Sequence, residues 1–157
     1  MDNIKAIIFD WARTLYDPET NQEFSNAVDI LEYCTQKKYR LALVSLVTKK
    51  ENLPGTSLET RNQQIKTSPL SKYFEKILTT EDDKNSILDE TVKHFGLSNS
   101  EILIVDDRTI RGILYGNQRG ISTVWLRRGK FANELPNEET GQPTYTIHSL
   151  TELKNIL

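Results

Sequence analysis

Lys5-Ala6-Ile7-Ile8-Phe9-Asp10-Trp11-Ala12-Arg13-Thr14-Leu15 opens on a compact apolar run that an acid, Asp10, stops. A continuous apolar run of this length suits a strand buried on both faces, which is the mark of a parallel sheet. Leu41–Leu46, Ile102–Val105 and Thr123–Leu126 read the same way, Lys76–Thr79 more weakly, and Tyr145–Ile147 makes a sixth. Helical spacing fills the gaps. Phe24, Ala27, Val28, Leu31 and Cys34 share one face of a helix at about 23–37, and a second runs over about 57–67. Ser86 or Asn85 caps a third, which carries Ile87, Leu88, Val92 and Phe95 and closes at Gly96. A fourth at about 109–119 precedes Gly120, and Leu150, Leu153 and Ile156 define a terminal one. Asn52–Thr56 and Asn133–Pro143 read as loops, because Pro, Gly and Asn cluster there. Strands alternating with helices predict an α/β fold: a three-layer α/β/α sandwich on a mostly parallel, Rossmann-like sheet. The 157 residues are the size of one domain, 1–157.

Composition narrows the function. Hydrophobic residues make up 37% and charged residues 27%, with Lys+Arg 20 against Asp+Glu 22 and a net charge of −2. That balance argues against bulk capture of nucleic acid or an anionic membrane. No apolar run approaches the about 18 residues of a membrane span, and the start lacks the pattern of a signal peptide. A single cysteine, Cys34, cannot form an internal disulfide and suits a reducing, cytoplasmic setting. It falls on an apolar helix face and reads as core filling. Trp11 and Trp125 read as packing residues, His94 and His148 lack metal spacing, and Arg127, Arg128 and Lys130 read as a solvated basic loop.

In open α/β sheets ligands bind beyond the carboxyl ends of the strands. Asp10 ends the first strand, Ser45 lies near the end of the second, and Asp106-Asp107 closes the fourth. Lys84 opens the helix before that fourth strand. If the strands are parallel, three carboxylates, a hydroxyl and an ammonium converge on one edge. Clustered carboxylates call for a cation, and all-oxygen ligation suits Mg²⁺.

The order FDWARTL, LVS, Lys84 and IVDD resembles the four motifs of the haloacid dehalogenase superfamily of phosphohydrolases. The flanks Ser71–Ile77 and Gly120–Leu126 resemble that family too, so the likeness covers nearly the whole chain. The resemblance implies that Asp10 is the nucleophile and forms an aspartyl-phosphate, while Ser45 and Lys84 hold phosphate oxygens. It implies Mg²⁺ held by Asp10, the backbone carbonyl of Ala12 and Asp107, with Asp106 as a further ligand. Asp10 to Ser45 spans 35 residues and Ser45 to Lys84 spans 39. Neither gap holds a separate cap domain, which in this family sits in one of those two places. The partner is then a phosphorylated substrate at an open site.

Two departures bear on activity. The family's second acid in the first motif protonates the leaving group and later activates water; here Ala12 stands in its place, and Arg13 replaces a glycine. The family's acid four or five residues after the fourth-motif Asp is replaced by Arg111 and Gly112. A slow phosphatase restricted to good leaving groups is therefore expected. The alternative is a degenerate member that binds phosphate, metal or a protein without turnover.

Overall fold

Six strands hydrogen-bond into one wholly parallel sheet in the computed structural model, which describes residues 1–48 and 57–157. The chain runs through β1 (Ala6–Asp10), a small antiparallel hairpin of β2 (Tyr16–Asp17) and β3 (Gln22–Glu23), and α1 (Ala27–Gln36). It continues with β4 (Arg40–Leu46), α2 (Leu58–Thr67), β5 (Lys76–Thr80), α3 (Lys84–Phe95) and β6 (Ile102–Asp106). A π-helical turn (Thr109–Ile113) leads into α4 (Leu114–Arg119), followed by β7 (Ser122–Leu126), β8 (Tyr145–Ile147) and a terminal 3₁₀ helix (Leu150–Asn155). The sheet order is β5-β4-β1-β6-β7-β8, so β1 is central, with β4 on one side and β6 on the other.

Side chains alternate across this sheet and build two cores, which is why the strands read as unbroken apolar runs. Ile7, Phe9, Leu41, Leu43, Leu103 and Val105 pack with Ala27, Ile30, Leu31 and Cys34 of α1, Ile65 of α2 and Leu150 and Leu153 of the terminal helix. Ala6, Ile8, Ala42, Val44, Ile102 and Ile104 face the other way, onto Ile87, Leu88 and Phe95 of α3 and Tyr115 of α4. This is the expected three-layer α/β/α sandwich. Among the described residues no helix is long and apolar enough to cross a membrane.

The structure corrects several boundaries. The first helix starts at Ala27, because Gln22–Glu23 pairs with Tyr16–Asp17 instead of winding. Val28 is 37% exposed, so the buried stripe of α1 is Ala27, Ile30, Leu31 and Cys34. The cap of α3 is Asp83, whose Oδ1 accepts from the Asn85 amide at 3.0 Å; Ser86 and Asn85 lie inside the helix. The segment Asn133–Pro143 is irregular as expected, and Asn52–Thr56 lies outside the described residues. Cys34 is buried, with its thiol pushed up to about 12 by burial, which fits core filling.

Candidate active site

Parallel strands deliver their carboxyl ends to one edge, and the central strand ends on Asp10. Lys84, the first residue of α3, reaches back to that end. Its Nζ donates to Asp10 Oδ1 at 2.7 Å and to Asp106 Oδ2 at 2.6 Å. All three side chains are buried, Lys84 with only 4% exposed. Asp106 is tied further: its Oδ1 accepts from the Arg108 amide at 2.9 Å and its Oδ2 from the Gly112 amide at 3.1 Å. Asp107 is buried beside them, and its Oδ2 has no hydrogen-bond partner among the described residues. Oxygens of Asp10, Asp106 and Asp107 all lie within 4.8 Å of one another.

Burial pushes the Asp10 carboxyl up; Lys84 pulls against it and the charge of Asp106 adds to it. Burial alone would lower Lys84, but the charges and hydrogen bonds of Asp10 and Asp106 outweigh it and hold the ammonium above its usual value. Asp107 is pushed up to about 9, first by burial and then by the charges of Asp10 and Asp106. Three carboxylates thus share one ammonium, and the orphaned Asp107 oxygen is a lone pair with no donor. Such a set fits a hard divalent cation.

A pH prediction follows from Asp107. Its folded pKa lies above its unfolded value, so the native metal-free protein binds more protons between about pH 4 and pH 9. Its contribution to stability is full below that window and falls as pH rises through it, with a limiting slope of about 1.4 kcal/mol per pH unit. A divalent cation held by these carboxylates would compete with that proton. Thermal melts from pH 6 to pH 9 should show a melting temperature that falls in the metal-free protein and a Mg²⁺-induced rise that grows. Asp107→Asn should flatten both trends, leaving the smaller part due to Asp10, which burial also pushes up; trends unchanged in that variant would contradict the assignment.

The loop after β1 is held from several sides. Thr14 Oγ1 donates to Asp10 Oδ2 at 3.2 Å. Arg13 sits at φ 65°, the left-handed region, where its Cβ costs about 1 kcal/mol that a glycine would avoid. Arg128 lies over the Phe24 ring at 3.8 Å and donates to the carbonyls of Arg13 and Thr14 at 3.4 and 3.3 Å. Arg127 donates to the Ala132 carbonyl and Lys130 lines the cavity. The basic run is therefore not the solvated loop that its sequence suggested: its first two side chains brace neighbouring backbone. Trp11 is fully buried and stacks on Tyr16 at 5.1 Å, and Trp125 is buried with its indole on the Asp107 carbonyl, so both pack as expected.

A cavity of about 460 Å³ opens over Asp10 and Asp107, and Ala12 lines it. The structure thus brings Asp10, Lys84, Asp106 and Asp107 together, with Ala12 at the same opening. Ser45 is at the adjacent strand end and fully buried, and its hydroxyl accepts from Arg61 Nη1 at 2.5 Å. Arg61 itself lines the cavity, and sequence reasoning missed it because the helix that carries it has poor periodicity. Burial lowers the Arg61 guanidinium and the charge of Arg111 does the same, while Asp10 and Tyr16 oppose them. Arg111 also lines the cavity and donates to Thr48 Oγ1 at 3.3 Å. Of the two positions where an acid was sought after Asp107, Arg111 faces the cavity and Gly112 has no room for a side chain. A Cβ on it would lie 2.5 Å from Asp106 Oδ2, so a side chain at 112 is incompatible with the carboxylate at 106.

A family model described as haloacid dehalogenase-like hydrolase matches residues 1–126. Among solved structures, the haloacid dehalogenase-like hydrolase SP0104 from Streptococcus pneumoniae is similar, with a TM-score of 0.76 at 16% identity, covering 99% of each chain. The magnesium-bound form of YfnB from Bacillus subtilis gives 0.76 at 15% identity over 98% of each chain. A HAD phosphatase from Thermococcus onnurineus gives 0.65 at 21% identity, covering 86% of this chain and 58% of that one. At these identities the likeness is one of fold. No curated protein matches the chain significantly.

Proposed function

The chain belongs to the haloacid dehalogenase-like hydrolases, and from that premise we propose that it is a slow Mg²⁺-dependent phosphatase acting through an aspartyl-phosphate on Asp10. Asp10 attacks phosphorus, the bond to the leaving oxygen breaks, and that oxygen departs with its electron pair. Water then attacks phosphorus, Asp10 returns as a carboxylate, and the released phosphate takes up the protons. Lys84 fixes the Asp10 carboxylate and offsets its charge, and Ser45, whose hydroxyl accepts from Arg61, has its own proton to donate to a phosphoryl oxygen. The residues that would hold Mg²⁺ are Asp10, Asp107 and the carbonyl of Ala12, with Asp106 next to them; the bound ion neutralises charge on the phosphoryl group. Most of the acceptor capacity of Asp106 is already used by Lys84 and two backbone amides, which favours Asp107 as the ligand from the pair.

The observation that carries this reading is the buried Lys84 clamp on Asp10, set beside an Asp107 oxygen with no donor. The proposal includes a single domain with no cap over the site; the short β2–β3 hairpin in the stretch after β1 supports it. Cytoplasmic residence is part of the proposal and is supported by the lone, buried Cys34. The test is phosphate release from 4-nitrophenyl phosphate with excess Mg²⁺. Turnover is expected, and it should fall to background in Asp10→Asn. If the wild type releases none, the second reading gains: a member that binds without turnover, which the methyl of Ala12 at the cavity wall favours.

A further inference from the structure

Arg61 and Arg111 come to the cavity from different elements, and both end on the tip of β4. Arg61, on α2, donates to the Ser45 hydroxyl. Arg111, in the turn after β6, donates to Thr48 Oγ1. The sheet order puts β1 between β4 and β6, so the Arg111 side chain spans the mouth above the end of β1, where Asp10 stands. Among the described residues neither guanidinium forms a salt bridge, whereas Arg13 and Arg108 at the same cavity are offset by Glu19 and Glu134. Like charges tethered near one another by hydroxyls repel, and an anion placed between them relieves that repulsion. Lys84 and a divalent cation would balance the three carboxylates, which leaves the positive excess at the mouth. In an in-line displacement the leaving group lies on the side away from the nucleophile. That is the side on which Arg111 crosses.

We infer that the ligand is bis-anionic: beyond the phosphoryl group at Asp10 it carries a second oxyanion, a carboxylate or a phosphate, held by Arg111 together with Arg61. The inference rests on the phosphoryl site proposed above. The planar guanidinium fork matches either oxyanion.

Calorimetric titration of the full chain at fixed free Mg²⁺ tests it with three non-hydrolysable probes: methylphosphonate, phosphonoacetate and methylenebisphosphonate. The two bis-anions should bind at least about tenfold more tightly than methylphosphonate, and the stronger of them identifies the preferred oxyanion. Arg111→Gln and Arg61→Gln should each shrink that advantage, and Arg111→Lys should restore part of it. Equal affinity for all three probes in the wild type, no binding of any, or an advantage that survives both Gln variants would overturn the inference. The wild-type comparison stands even if a variant fails to fold. Phosphonates report binding alone. A chain that leaves aryl phosphates intact yet keeps the Arg-dependent preference would therefore refute the phosphatase reading and not this one.

Discussion

Ala12→Asp is expected to raise turnover of an alkyl phosphate, whose leaving group needs a proton, by about 10²–10⁴-fold. The gain on 4-nitrophenyl phosphate should be much smaller, because 4-nitrophenolate departs without help. The physical ground is local. Ala12 lines the cavity two residues beyond Asp10, and its methyl can neither donate nor accept a proton. A carboxyl there would supply the acid for the first step and the base for the second. Initial rates across a series of phosphate esters give the decisive readout. The wild type should depend steeply on leaving-group pKa, and the variant should flatten that dependence. Parallel dependences in both proteins would mean that position 12 does not face the leaving oxygen.

Lys84→Met should lower the stability of the metal-free protein by about 3–5 kcal/mol, because removing one partner leaves uncompensated buried charge. Asp10 and Asp106 would keep their places in the core, with a thioether where the ammonium stood. For a chain of this size that corresponds to a fall of roughly 2–4 °C in melting temperature per kcal/mol. Pairing the change with Asp106→Asn should recover part of the loss, since one of the stranded charges goes too. Urea melts of the two variants measure both effects. A loss of about 0.5 kcal/mol or less, as for an ordinary surface substitution, would show that Lys84 is not the clamp described.

The apolar runs ending in Asp10, Ser45 and Asp106 made the sheet legible, because a parallel strand covered on both faces has almost no polar positions to blur it. The same ends made the acids legible, since a parallel sheet leaves them nowhere else to go. The hairpin before α1 is not legible: strands of two residues carry no period, so Phe24 falls in with the apolar spacing of the helix. Nor is Arg61, which is carried by a helix with only Ile65 fully buried. Arg111 registered in the sequence only as a missing acid; its path to Thr48 depends on strand order, which adjacent residues do not encode. The role of Arg128 depends on carbonyls more than 110 residues away in the chain.

The close approach of Gly112 to Asp106 makes the two positions epistatic. A side chain cannot be added at 112 while that of Asp106 stands in its place, and shrinking 106 first takes from Lys84 one of its two anchors. Any laboratory selection that adds a side chain at 112 must cross an intermediate with both positions small. The order of substitutions, and not only their identity, decides which variants can be reached.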